Sequence, residues 1–163
     1  KGRLTGWIGY GLGWVYSSFD SINGGAQFRP KYDRRHDLKA VGLYRLNDTW
    51  EIGASFSLQS GQSYTAMTSW YQTALPGENT STGVTVPGQR YGNRLPASHQ
   101  LNVNVNYNFT MFDLPARLLL DIYNVYSRRD IWFRYYDTTK EKPTVTDVRL
   151  LPIIPTVSLE VKF

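Results

Sequence analysis

The stretch Thr156-Val157-Ser158-Leu159-Glu160-Val161-Lys162-Phe163 decides how the chain is read. Val157, Leu159, Val161 and Phe163 fall on one side of an extended backbone, with Thr156, Ser158, Glu160 and Lys162 on the other. Strict alternation with a period of two marks a β-strand with one apolar and one polar face. The stretch stops on an aromatic ring with no polar tail. Chain ends in water are usually frayed and polar. A strand whose outer face meets lipid has a reason to finish on a ring, which sits in the aromatic belt at the membrane interface.

The same period recurs upstream. In His99–Phe109 the apolar Leu101, Val103, Val105, Tyr107 and Phe109 alternate with Asn102, Asn104, Asn106 and Asn108. A one-residue slip would turn all four asparagines toward the apolar medium, at about 1–3 kcal/mol each, so this register is well specified. Trp50–Leu58 alternates in full, His36–Leu46 and Leu4–Tyr16 less cleanly, and Ala116–Tyr126 sets Leu118, Leu120 and Ile122 against Arg117, Leu119, Asp121 and Tyr123. Asp130–Tyr136 and Thr144–Leu151 also read as extended, and Pro152 and Pro155 are expected to break the ladder. Gly9, Gly11 and Gly13 share one face of the first strand, either to let another segment approach or to mark a bend.

Between these strands lie connections of two kinds. Asn47-Asp48 and Thr110–Pro115 are short; Ser17–Arg35 and Gly61–Ser98 are long, polar and read as irregular, and Asp137–Pro143 reads as a charged turn. Placing Phe163 at one end and counting strands backward puts both short links at that end and the other three at the opposite one. Tyr44, Trp50, Tyr107, Phe109 and Phe163 then gather at the short-turn edge, with Trp14 and Tyr16 at the other. Short turns on one side, long loops on the other and two aromatic girdles are the pattern of outer-membrane barrels. A soluble β-sandwich needs the alternation but not this sorting.

Composition agrees. The 163 residues contain no apolar run of about 18, so no transmembrane helix is expected. The mean hydropathy of −0.40 does not exclude a barrel, in which only alternate residues meet lipid. Aromatic residues make up 15% of the chain, a surplus that interfacial belts would use. Cysteine is absent, which removes disulfides and thiolate metal sites. The net charge of +5 comes with no basic run longer than a pair, so nucleic acid is not an expected partner. The fold expected is therefore all-β, an antiparallel transmembrane β-barrel segment of about six strands. Six strands are too few to close a barrel, and open edges are not tolerated in a bilayer. Residues 1–163 are accordingly expected to be the end of a larger barrel or to associate with other chains.

Several short stretches carry a family resemblance: Tyr32-Asp33-Arg34-Arg35-His36-Asp37-Leu38, Ser60-Gly61-Gln62-Ser63-Tyr64-Thr65, Tyr91-Gly92-Asn93-Arg94-Leu95-Pro96, Ile122-Tyr123-Asn124-Val125-Tyr126-Ser127-Arg128-Arg129, and the ending Leu151-Pro152-Ile153-Ile154-Pro155 through Phe163. In order and spacing they resemble the carboxyl-terminal barrel of TonB-dependent outer-membrane transporters. The resemblance implies a barrel of about 22 strands around a plug domain. It also implies active nutrient uptake (siderophore, vitamin, glycan or peptide) in the outer membrane of a Gram-negative bacterium. The partners it implies are outer-membrane lipid, the remainder of the barrel and the plug, the inner-membrane energy-coupling complex, and the barrel-assembly machinery. The resemblance places the plug and the amino-terminal barrel strands outside this chain, as an expectation. Val161 and Phe163 match the apolar pair of the family's assembly signal, although Ser158 stands where that signal commonly has Gly. A passive porin, a structural barrel anchoring a surface assembly, and a soluble β-rich binding domain are the alternatives.

No residue pattern points to catalysis, and no cofactor is expected. Ser55, Ser57 and Ser63 lack a nucleophile elbow. His36 and His99, the two histidines, are far apart and have no clustered carboxylate to complete a metal site. Tyr64, Trp70, Tyr71, Tyr91 and Arg94 are candidate outer-loop contacts to a substrate, the rings either stacking on it or packing the loop. Arg34, Arg35, Glu51, Asn104, Asp121 and Glu160 are candidate lumen or plug contacts, and Asp33, Arg34, Arg35 and Asp37 a charge cluster at a strand mouth.

Overall fold

A computed structural model describes residues 2–74, 77, 81–138 and 143–163. Among them there is no α-helix, only one 3₁₀ turn at Asn23–Gly25. The strands in chain order are β1 (Leu4–Leu12), β2 (His36–Arg45), β3 (Trp50–Gln59), β4 (Ser63–Tyr64), β5 (Met67–Ala74), β6 (Ser81–Pro87), β7 (Asn93–Arg94), β8 (Ser98–Met111), β9 (Leu114–Tyr123), β10 (Ile131–Asp137), β11 (Thr144–Arg149) and β12 (Ile154–Val161). Six of them form one antiparallel meander in the order β1-β2-β3-β8-β9-β12. β4 pairs with β7, β5 with β6, and β10 with β11, as separate two-stranded pieces.

The register of the large sheet makes each alternating strand continue its neighbour's faces. One lateral row runs Leu4, Tyr44, Ile52, Val105, Leu120, Val157; the next on the same face runs Gly6, Gly42, Ala54, Val103, Ile122, Pro155. The opposite face carries Thr5, Leu43, Gly53, Asn104, Asp121 and Thr156 in one row, and Arg45, Glu51, Asn106, Leu119 and Ser158 in another. One face of the whole sheet is thus apolar and the other largely polar.

The apolar face is not covered by the described residues. Ile8 is 77% exposed and Val157 67%, and Leu4, Leu12, Ile52, Leu118 and Leu159 are exposed as well. The buried core hydrophobics among the described residues are only Phe28, Leu95 and Ala116. Folding of a water-soluble sheet draws on burial of apolar area, and here that area is left open. Hollows lie on the other face. A trough of about 450 Å³ runs along Leu43, Gly53, Ser55, Asn102, Asn104 and Asp121, all polar-face positions.

The strands are also staggered. From the row that begins at Leu4, β1 runs eight residues up to Leu12, whereas β12 runs only three, from Val157 up to Ile154. Below the row β1 ends at once, whereas β12 runs four more residues to Val161. Five lateral steps thus accumulate a slip of four to five residues, roughly one residue per strand. A rise of about 3.4 Å per strand spacing of about 4.8 Å is a slant of roughly 35°. That is the tilt of barrel strands.

Connections sort by end. At the turn end, β2 and β3 are joined through 46–49, where Asn47 Oδ1 accepts from the backbone N–H groups of Thr49 (3.0 Å) and Trp50 (2.7 Å). β8 and β9 are joined by Phe112-Asp113, both left-handed (φ 51° and 63°), as in a two-residue primed turn. The long segments 13–35, 60–97 and 124–153 all emerge at the other end, the loop end.

Several expectations change. β1 stops at Leu12, not Tyr16: Gly13 N–H still donates to Arg35 O in register with the ladder, but Val15 N–H turns from backbone to the Asp33 side chain, at Oδ1. Gly61–Ser98 is not irregular but holds β4 to β7; the composition of β5, MTSWYQTA, hides a strand that is exposed over most of its length. The strands expected near Asp130–Tyr136 and Thr144–Leu151 exist but pair with each other outside the large sheet. Pro155 lies within β12, where an edge strand tolerates a residue without an N–H. Gly11 and Gly13 carry no close approach; tight positions include Gly6 of β1, where a Cβ would strike the Val41 carbonyl, Gly53, where it would strike the Asn104 amide, and Gly61, where it would strike the Leu95 carbonyl. Most of the charged turn expected at Asp137–Pro143 lies outside the described residues.

The aromatic rows are clearer than the sequence allowed. At the turn end of the apolar face, Trp50 packs on Tyr107 and Tyr107 on Phe109, with centroids 4.6 and 5.4 Å apart. At the loop end the row is Tyr10, His36, Phe56, His99 and Tyr126. Trp14 and Tyr16, expected there, lie beyond β1.

Candidate functional site

Polar side chains converge at the loop end, where three connecting segments are tied together by buried or half-buried groups. The first tie is Asp33, which is 0% exposed. One carboxylate oxygen accepts from Val15 N–H at 2.9 Å and the other from Arg94 Nη2 at 2.5 Å. Arg94 Nη1 donates to the carbonyls of Asp33 and Gly61, both at 2.8 Å. Segment 13–35 is thereby locked to segment 60–97. Asn23 adds a second lock, its amide donating to Arg90 O (3.1 Å) and accepting from Arg90 N–H (2.9 Å).

The second tie is Asn124, 2% exposed and left-handed (φ 54°). Its Nδ2 donates to the carbonyls of Arg128 and Leu151, and its Oδ1 accepts from Arg128 N–H. Arg128 reaches Asp130 Oδ1 at 2.5 Å and His99 Nε2 at 2.6 Å. A guanidinium only donates, so Nε2 accepts and the His99 proton sits on Nδ1, 2.7 Å from the Tyr126 hydroxyl. The third tie is Arg134, which forks onto Asp147 (2.6 and 3.1 Å) and donates to the Tyr64 hydroxyl at 3.0 Å. The bond to Arg134 holds the Asp147 carboxyl below the usual carboxylate range and raises the arginine in turn.

Burial pushes the Asp33 carboxyl up, but the Val15 N–H, the bond and charge of Arg94 and the charge of Arg29 outweigh it, and the net shift is downward. A depressed carboxylate stabilises the fold above its unfolded pKa, about 3.9, and loses that contribution as pH falls through the lower folded value. The linkage of segments 13–35 and 60–97 should therefore hold from pH 7 down to about 4 and weaken below it. Proteolysis of these segments along a pH series, with an acid-stable protease, reads this. Asp33→Asn should be cleaved faster at neutral pH and lose most of the pH dependence.

Gly61 lies under this tie. In Gly61→Ala a methyl group would meet the Leu95 carbonyl, so the backbones must separate. The expected cost is about 1–3 kcal/mol, read as a lower midpoint for loop-end proteolysis in urea.

Tyr91 and Arg94 come together in a pocket of about 370 Å³, with Tyr16, Phe28, Arg29 and Arg90. Tyr64 is not in it, being held by Arg134, and Trp70 and Tyr71 stand exposed on β5. Of the candidate lumen contacts, Glu51, Asn104, Asp121 and Glu160 share the polar face. Glu51 accepts from Arg45 (3.4 Å) and Asn106 (3.3 Å); Asn104 and Asn106 each keep a buried Oδ1 without a partner. Arg34 instead donates to Gln59 at 2.6 Å, and Arg35 keeps its Nε buried and unpartnered. The expected cluster of Asp33, Arg34, Arg35 and Asp37 does not form as such, because Asp33 turns to Arg94. Val161 lies in β12 beside Ala116, and Phe163 is fully exposed. No cluster of three metal-ligating residues occurs among the described residues; His36 and His99 are each engaged by a tyrosine hydroxyl.

Sequence reasoning passed over Arg29 and Arg90, and quoted Asn124 only within a stretch of resemblance, with no role given to it. The arginines sit in glycine-containing polar segments without periodicity, and the cue at Asn124 is only that Asn adopts left-handed backbone readily. Compared with protein-family models, curated proteins and solved structures, the chain matches none.

Proposed function

We propose that this chain is a wall segment of an outer-membrane β-barrel. The observation that carries the proposal is an apolar face continuous in register across six strands, exposed on the outer strands and mostly half-buried on the central ones, and bordered by aromatic rows at both ends. From His99 to Tyr107 is eight residue steps, about 27 Å along the strand or about 21 Å of membrane at a 40° tilt. That is close to the apolar band of about 25 Å on such barrels. The one-residue stagger, the troughs on the polar face and the sorting of short and long connections favour the same reading. The free edges of β1 and β12 would be paired by further strands, since unpaired backbone groups are costly in lipid.

Within that class we assign the chain to a TonB-dependent transporter, on the motif resemblance. The polar face would then line the lumen and meet a plug, and the loop-end pocket would meet the incoming solute. The chain would carry no catalytic step. Expression of residues 1–163 within the barrel whose further strands pair the edges of β1 and β12, in a Gram-negative host and followed by fractionation, tests the membrane reading. The protein should stay with outer membranes through a high-salt and carbonate wash and migrate faster on gels before boiling than after. Recovery as a folded species in the aqueous fraction overturns it. Growth on a limiting nutrient that requires the energy-coupling complex would separate a transporter from a passive porin.

A further inference from the structure

We infer that the pocket between segments 13–35 and 60–97 binds a small organic anion through Arg29 and Arg90. This deepens the transport reading by naming the class of solute. The pocket's volume, about 370 Å³, is at the lower end of the roughly 300–1,000 Å³ that small-molecule sites occupy. Three guanidinium groups border it, and they are not equivalent. Arg94 spends its donors on Asp33 and Gly61 and is neutralised by Asp33. Arg29 and Arg90 form ion pairs with no carboxylate of the described residues. Arg29 feels the charge of Asp33, but both oxygens of that carboxylate are already occupied.

What holds the two free arginines is aromatic. Arg29 lies over the Tyr16 ring, 5.5 Å from its centroid, and touches its hydroxyl at 3.4 Å. Arg90 lies over Tyr91 at 5.3 Å, and Tyr91 is backed by the buried Phe28 at 5.8 Å. A guanidinium held against a ring keeps in-plane N–H groups for other partners; Arg29 donates one from Nη2 to the Tyr16 hydroxyl, and the remaining edges of both groups stay open. Those edges match the two oxygens of a carboxylate or phosphate, and the ring supports reduce the ordering cost of the fork. An uncharged solute would leave both cations unmatched.

The test is calorimetric titration of the detergent-solubilised protein in a low-salt, phosphate-free buffer. The probes are glucuronate, glucose 6-phosphate and glucose, which share a hexose body and differ in charge. At least one anion should bind ten times or more tighter than glucose; which one does so distinguishes carboxylate from phosphate. The double variant Arg29→Gln/Arg90→Gln should lose at least tenfold in anion affinity, and Arg29→Lys/Arg90→Lys, which keeps charge without the fork, should fall between. Arg45→Gln, at the turn end, should leave affinity unchanged. Equal binding of anions and glucose by the unsubstituted protein, no binding of any probe, or full anion affinity in the glutamine double variant overturns the inference. Titration does not depend on membrane insertion, so failure here with the protein in outer membranes rejects the anion site alone. Recovery in the aqueous fraction with anion preference intact rejects the barrel alone.

Discussion

Val103→Arg should block assembly of the folded protein in membranes, at a cost of about 2–4 kcal/mol, while Asn104→Arg, one residue away, should fold nearly as well as the parent. Val103 is midway between the His99 and Tyr107 rows on the apolar face, the greatest depth β8 offers. On the barrel reading proposed above, a guanidinium there would meet hydrocarbon with no partner. Asn104 faces the opposite way, into the trough, with room and polar neighbours. Val105→Arg, two residues closer to the turn-end rings, should be penalised less than Val103→Arg, because the cost falls toward the interface. The measurement is the folded fraction in phospholipid vesicles, scored by unboiled gel mobility and by urea midpoint. Equal damage at 103 and 104 would remove the sidedness assigned to every strand in register with β8, and greater damage at 104 would reverse it.

Asp33→Ala should be the most damaging change outside the sheet. It removes an acceptor with no exposure and leaves Arg94, whose other contacts are carbonyls, without its counter-charge. Loss of one partner from a buried pair costs about 3–5 kcal/mol; Arg94 is partly exposed, so about 3 kcal/mol is the expectation. Arg94→Ala should be comparably harmful, since it strands the buried carboxylate. The double variant Asp33→Ala/Arg94→Ala should be milder than the sum of the two, because no lone charge remains. Hydrogen exchange at the Val15 amide, which loses its acceptor in Asp33→Ala, gives the local readout. The large sheet should keep its strand signal in all three. If the two single effects simply add, the pair is not a coupled unit.

The two kinds of change mark what the sequence made legible. Alternation is local, so Asn102 to Asn108 against Leu101 to Phe109 located β8 and its facing, and the six strands of the meander followed from the same period. What could not be read is non-local. Asp33 and Arg94 are 61 residues apart, and nothing in either neighbourhood names the other. The β5–β6 hairpin escaped because strands with most residues exposed need no alternation, and their Ser and Thr content resembles loop composition. β10 and β11 were legible as strands but not as each other's partners, since pairing depends on where the intervening chain turns. Tyr91 and Arg94 were selected from sequence and do share a pocket; Arg29 and Arg90, which complete it, were hidden in segments without a pattern.

The loop-end ties have a mechanical consequence. Asn23 and Asp33 fasten the first segment to the second; Gln62 and Tyr64 fasten the second to the third, through Trp132 O and Arg134. Three spans joined in series behave as one linked strip rather than as separate leaves. No single leaf can swing aside without tearing a bond to its neighbour, so a displacement of the first span is handed through the second to the third. A solute gripped at one span would be felt at the other two.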